Sequence, residues 1–398
     1  MRQTVFILTI CLAASFRINA QTISYSKSST LKGASDAVQV KEVPLVHTRQ
    51  FLPLDKTGTL ISTGNLNAQL NQVFMNISGA LKQANSSVSQ IVKLNVYLKS
   101  DDLMAEVQNY IDKTFKTDKK PALSFVSGDL THSDALVSMD VIAVAMKSNA
   151  ESVTYMKNDK LSATNHTVAS ILPAGPVVYI SGQAVKGELA EATRGTLAQL
   201  EETLHSLGLN RKDIVQIKSF VKPMSDIHVV EREFSQFFKG EIIPPLVNVE
   251  WTSKDPVIEI ELIASSPKTS VKATEQVEFI TPPGMVHSPV YSKVVRVNYG
   301  TKIYVSGLYG NKLGDAKLEL ASIFSSLSSI LKSTGSDFDH LAKATYYVGN
   351  DTHSAELNSI RPKFYNPKFP PAASKAMVKG LGLNQAGVSI DMIGVVRE

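Results

Sequence analysis

Cysteine is nearly missing from this chain. The one present, Cys11, sits in the N-terminal stretch "MRQTVFILTICLAASFRINA". That stretch reads as a secretory signal peptide, residues 1–20. Arg2 makes a short positive start, Thr4 to Phe16 an apolar run too short for a bilayer, and Ala20 a small residue before Gln21. A buried first strand is the competing reading, and Arg17 is irregular for a cleavage region. Once the segment is removed no cysteine remains, which excludes disulfides, thiolate nucleophiles and sulfur-bound metals. A secreted or periplasmic protein without disulfides must be held by ordinary cores or by assembly.

Other absences narrow the function. No later apolar run is long enough to span a membrane. The formal charge of +5 falls to about +3 when Arg2 and Arg17 leave, too weak a balance to argue for a nucleic-acid partner. There is no zinc-ligand spacing, phosphate loop or nucleophile elbow, and the eight histidines are scattered. Neither a metal nor a cofactor is expected. Residues 21–40, rich in Ser, Thr and Lys, read as a flexible leader.

What the chain does have is self-similarity. "VVYISG" (177–182) and "KIYVSG" (302–307) are nearly one strand, and "LISTG" (60–64) is a weaker third. Anchored on Gly64, Gly182 and Gly307, three copies follow one order: hairpin, helix, strand, helix, strand, strand. The second copy shows the helix best, with Leu197, Leu200, Leu204 and Leu207 on one stripe and Gly208 as the stop. "VKLNVYL" and "AKATYYV" alternate as half-buried strands, and the last strands are "LVSMDVIAV", "VIEIELIAS" and "VSIDMIGVV". The units are placed at 41–147, 161–265 and 286–398, with linkers at about 148–160 and 266–285. Each is α+β, one mixed sheet with two helices on one face. The other sheet face is apolar too and needs covering, which assembly would provide.

These residues carry a resemblance. "HSPVYSKVVRVNYGTKIYVSG" looks like the opening "GPYSQAV…VFVSGQ" of the RidA family, also called YjgF or L-PSP, and "VIEIELIA" looks like its closing strand "VEIEAIA". "KKPALSF", "IPPLVNV" and "KFPPAASK" stand where that family writes Pro-Ala-Arg-Ser. The resemblance implies a chorismate-mutase-like fold, trimers around a central barrel, a ligand cleft between adjacent subunits, and hydrolysis of enamines and imines to carbonyl compounds and ammonia. Three copies in one chain then imply an intramolecular pseudo-trimer, a monomer in solution, with clefts for a small-molecule ligand.

The family's site is only partly present. Its carboxylate-binding Arg, which would grip its ligand through two parallel hydrogen bonds, is replaced by Leu123, Leu246 and Ala373. Its water-positioning acid survives only as Glu259, the candidate catalytic residue; the other copies have Ser138 and Ser389. A solvated carboxylate at a strand edge is the plain alternative. Its cleft tyrosine survives as Tyr291, with His47 and His166 assigned to the same place, and Gly64, Gly182 and Gly307 would let ligand approach the backbone. Arg49, Arg232 and Arg361 are candidates to replace the lost arginine. With Leu246 uncharged beside Glu259, the expected substrate is neutral or apolar. A diverged enamine or imine deaminase, a non-catalytic binding module and, less favoured, an endoribonuclease are the competing functions.

Overall fold

The computed structural model describes residues 22–28, 30–145, 148–157, 167–267 and 273–398. The signal-peptide reading, with Cys11 and Ala20, and His166 lie outside the described residues. Three six-stranded mixed sheets carry two α-helices each. The second is representative. Its strands run Leu246–Glu250, Ile214–Val221, Ile258–Ser265, Val177–Gln183, Val294–Val297, Val277–Ile280; its helices are Leu189–Ser206 and Ile227–Phe237. Leu197, Leu200 and Leu204 of the long helix pack on Ile217, Ile260 and Leu262 of the sheet. Burying apolar side chains at that helical spacing is what holds helix to sheet.

Sheet and chain segment do not coincide, and here the structure departs from the expected units. The hairpin that opens each copy is split. Val177–Gln183 stays in the second sheet, while Thr167–Leu172, just before it in sequence, pairs with Leu45–Thr48 of the first. Val294–Val297 likewise joins the second sheet, and Ser35–Val40 closes the third by pairing with Lys302–Val305. The expected flexible leader is therefore two strands, Ile23–Lys27 and Ser35–Val40, with Val38 and Val40 fully buried. The polar Ser and Thr residues of 21–40 hide the alternating apolar positions of a strand. Both linkers also contain strands, Thr154–Lys157 and Val277–Ile280, at the edges of the first and second sheets.

The faces away from the helices meet. Val38, Leu45, Val144, Tyr179, Val215, Val295, Tyr304, Ala342 and Val395, drawn from all three sheets, form one buried cluster. A register shift supplies part of it. Between Ile91 and Lys93, Ile214 and Gln216, and Leu341 and Lys343, each central strand bulges. Val92, Val215 and Ala342 thereby turn into the shared cluster while Ile91, Ile214 and Leu341 stay under the helices. Beside this cluster, Lys93 binds Asp391 at 2.9 Å and Lys343 binds Glu261 at 2.8 Å. Each ion pair joins two sheets.

Candidate functional site

The described residues enclose a cleft of about 820 Å³ between the second sheet and the last segment of the chain, with Gly182, Glu259, Tyr291, Arg361, Ala373 and Lys375 in its wall. Glu259 is the second residue of its strand, and Gly182 is the last but one of the antiparallel neighbour. They fit only as a pair: a Cβ on residue 182 would lie 2.0 Å from Glu259 Oε1. The strand Ala372–Met377 docks on the same spot, with the Ala373 N–H donating to Ser181 Oγ at 2.7 Å and the Gly182 N–H donating to Ser374 Oγ at 3.2 Å.

Glu259 Oε1 is buried without a hydrogen-bond partner. Burial, and next the neighbouring Glu261, push its carboxyl up to about 8, against smaller opposing effects of Ser374, Lys343 and Lys375. At neutral pH it is largely a carboxylic acid. Tyr291 stands across the wall, its hydroxyl accepting from Lys293 Nζ at 2.5 Å.

Two cations of this wall have only neutral partners there. Lys375 Nζ donates to Ser354 Oγ at 2.9 Å, and burial, followed by Arg361 beside it, lowers its pKa. Arg361 is 6% exposed, lies over the Tyr346 ring at 5.0 Å and donates to Asn358 Oδ1 at 2.6 Å. Its Nε is buried and unpartnered. An anionic ligand group would satisfy both side chains. This revises the sequence expectation: the position opposite Glu259 is Ala373, from the next copy, and Leu246 belongs elsewhere. Sequence alignment assigns each Pro-led strand to its own copy's acid, whereas docking brings it to the preceding one.

The two other clefts differ. Where Gly182 stands, the first sheet has Gln50, whose Nε2 donates to Ser138 Oγ at 2.8 Å and whose Oε1 accepts the Asn248 N–H at 3.0 Å. Arg49, Glu231 and Leu246 also line what remains, about 30 Å³, room for about one water. The third sheet keeps Gly307, whose N–H donates to Leu123 O at 2.7 Å, but has Ser389 in place of the acid. Its neighbouring cleft, about 600 Å³, is lined by Asp101 and Tyr309.

The structure corrects the sequence alignment of the first copy. Gly64 is in a turn at φ +77°, just before Asn65, which caps a helix through the Ala68 N–H. The strand matching Val177–Gln183 is Leu45–Thr48, since His47 pairs with Ile142 as Tyr179 pairs with Ile263 and Tyr304 with Ile393. His47 thus faces the shared cluster, away from any cleft. Burial, then Lys302, push it down to about 3, and neither ring nitrogen has a partner. Tyr291's counterpart is Ala34: the Ser35 N–H donates to Pro121 O as the Ser292 N–H donates to Pro371 O, both at 3.0 Å. A long loop, 52–65, separates strand from helix in this copy and displaces the glycine match. The equal spacing of Lys93, Lys218 and Lys343 is the sequence signal that sets the register. Arg232 is exposed and outside the cleft wall.

Comparison with known proteins identifies the repeated unit. The family described as Endoribonuclease L-PSP matches three times, over residues 30–145, 158–266 and 285–396. The chain belongs to this family. It is the RidA, or YjgF, family of the sequence resemblance, here as three tandem copies. A RutC family protein of Pyrococcus horikoshii is 31% identical over 99 residues, 24% of this chain and 75% of that protein. The mitochondrial protein MMF1 of Saccharomyces cerevisiae is 37% identical over 81 residues, 20% of this chain and 55% of that protein. Among solved structures, a Rid-family protein from Yersinia pestis covers 31% of this chain and 99% of its own at 21% identity, TM-score 0.29. Each of these relatives is about the length of one copy. Among the described residues no helix is long and apolar enough to cross a membrane, and no group of His, Cys, Asp and Glu could hold a metal.

Proposed function

We propose that this L-PSP family protein binds a small anionic imine or enamine in the cleft of Glu259 and hydrolyses it to a carbonyl compound and ammonia. The observation that carries the reading is the half-buried Glu259, its Oε1 buried without a partner, facing the same space as Lys375 and Arg361. The two cations hold the acidic group of the substrate. Glu259 donates its proton to the imine nitrogen while a water forms the new C–O bond and returns a proton to the carboxylate. Glu259 then protonates the amino nitrogen of this carbinolamine, the C–N bond breaks with its electrons on nitrogen, the hydroxyl proton returns to Glu259 as the C=O bond forms, and ammonia leaves. A carboxyl titrating near neutral pH is suited to both halves of that exchange. The Tyr291 hydroxyl closes the cleft wall.

The protein is further proposed to be exported by cleavage after Ala20, and to act as one chain whose three sheets replace a trimer. Ammonia release should be measured for wild type and Glu259→Gln on imines with and without a carboxylate. Turnover of the acidic imines by wild type, lost in the variant, is expected. Equal turnover by both proteins removes Glu259 from the reaction. The uncharged Ala373 favours a second reading, a binding module, which would bind 2-oxo acids in calorimetry without releasing ammonia. An oligoribonucleotide in the same panel tests the activity in the family's descriptive name.

A further inference from the structure

We propose that Lys375 is a covalent site: its amine condenses with the carbonyl of a 2-oxo acid seated by Arg361 and forms a reversible imine. The inference rests on the reading of an acidic ligand in this cleft, but not on imine hydrolysis.

The strand sets the direction of the side chain. Along Ala372–Met377 burial alternates, with Ala373, Lys375 and Met377 half-buried on one face and Ala372, Ser374 and Ala376 buried on the other. The half-buried three all line the cleft of about 820 Å³. Lys375 therefore meets ligand space instead of the core. Its Nζ crosses to the helix Asp351–Ile360, donating to Ser354 Oγ at 2.9 Å and to Asn358 Oδ1 at 3.4 Å. Those two residues are four apart and share a helix face.

Asn358 Oδ1 also accepts from Arg361 at 2.6 Å. Two cations thus converge on one neutral oxygen, and among the described residues neither is paired with a carboxylate. Burial, then Arg361, lower the pKa of Lys375, and Glu259 offsets them only in part. Each unit of such lowering puts about ten times more of an amine in its neutral, nucleophilic form at neutral pH. The other charges of the wall are exposed: Lys254 faces Asp351 across 4.0 Å, and Asp255 binds Lys186 at 2.8 Å.

Other lysines lack this combination. Lys93 and Lys302 also have lowered values. Lys93 is held by Asp391 beside a space of about 40 Å³, too small for a 2-oxo acid. Lys302 is 3% exposed within the strand Lys302–Val305.

In a 2-oxo acid the carbonyl carbon is bonded to the carboxyl carbon. A carboxylate held by the Arg361 guanidinium therefore leaves the carbonyl beside the neighbouring amine. Lys375 first gives its proton to water. Its nitrogen lone pair forms the C–N bond as the C=O π electrons move to oxygen, which takes a proton from Glu259. A proton then passes from nitrogen back to Glu259. The C–O bond breaks with its electrons on oxygen, which takes that proton and leaves as water, while the nitrogen lone pair closes the C=N bond. The products are a protonated imine, the Glu259 carboxylate and water. Arg361 alone holds the acid group in this step; with Lys375 protonated, both cations hold it.

The test is reductive trapping on the full chain with pyruvate and cyanoborohydride at neutral pH. Hydride adds to the imine carbon and fixes the adduct as a secondary amine, which peptide mass mapping locates. Lys375 should be labelled at least ~10-fold faster than any exposed lysine. Lys375→Arg should remove that label, and the wild-type map alone decides if the variant does not fold. Acetone, which has the carbonyl without the carboxylate, should show a preference for Lys375 weaker by about 10-fold, the worth of a charge-assisted hydrogen bond. Label spread evenly over the lysines, no label at Lys375, or an equal preference with acetone overturns the proposal. If Lys375 is trapped but no imine is hydrolysed, the covalent site stands and the deaminase reading fails. If imines are hydrolysed and Lys375 is not trapped, that reading stands and this proposal fails.

Discussion

Lys93 and Asp391 lie 298 residues apart in sequence, and Lys93 Nζ sits 2.9 Å from Asp391 Oδ1 inside the protein. Lys343 and Glu261 repeat the relationship one copy round. Lys218 completes the set: burial would lower its pKa, but Tyr347, Glu261, Asp140 and Asp391 outweigh that and raise it. The three lysines, Glu261 and Asp391 surround a space of about 40 Å³. Charges placed this way favour one mutual arrangement of the sheets, because any other would bury a lysine without its acid.

Removing one partner of a buried pair should therefore cost more than removing both. Lys93→Met is expected to destabilise by about 3–5 kcal/mol, leaving Asp391 uncompensated, while Lys93→Met with Asp391→Leu should recover most of that loss. Denaturant unfolding of the two variants checks it. Equal destabilisation in both would show that the pair itself supplies the energy.

Gly182 and Gly307 each lie three residues after the matching Tyr179 and Tyr304 but should tolerate alanine differently. At 182 the new Cβ meets the Glu259 carboxyl at 2.0 Å, whereas at 307 it meets Ser389 Oγ at 3.1 Å. Gly182→Ala should displace the carboxyl and abolish ammonia release, by ~100-fold or more for the loss of a positioned proton donor. Gly307→Ala should leave it within a few-fold. Comparable losses in both would mean that the Glu259 cleft is not the working one.

His47 should make the fold sensitive to acid. Its folded value is pushed down to about 3 from 6.5, so below about pH 6.5 the unfolded chain binds a proton that the folded one refuses. Stability from this source is full above pH 6.5 and falls as pH drops toward 3. His47→Tyr copies Tyr179 and Tyr304 at the same register. It should flatten stability between pH 6.5 and 4 as followed by thermal unfolding; an unaltered pH slope would contradict the neutral, buried histidine.

Strand Ser35–Val40 should close the third sheet within its own chain. Gln39 and Ile303 are direct partners in the antiparallel register, close enough to bridge. In the mature chain, Gln39→Cys with Ile303→Cys should form a disulfide that runs as one chain on non-reducing gels, and light scattering should report a mass near one chain. Disulfide-linked dimers would mean that the strand is exchanged between molecules.

Several features are legible in the sequence by itself. Helix stripes such as Leu197, Leu200 and Leu204, alternating strands, three copies and Glu259 as the lone surviving acid are all local patterns, written by the 3.6- and 2-residue periods of helix and strand. Tyr291 and Arg361 are candidates from sequence, and the structure places both in the Glu259 cleft. Tertiary structure alone decides which copies share a strand, that Ile23–Lys27 and Ser35–Val40 complete the third sheet, and that Ala373 and Lys375, not Leu246, face Glu259. It also moves His47 from a cleft to the shared core. The reason is physical: pairing between strands is set by backbone hydrogen bonds, which every residue but proline can make, so side-chain patterns show that a strand exists but not which edge it joins. The site lies where two copies dock, and its composition depends on that choice of edge.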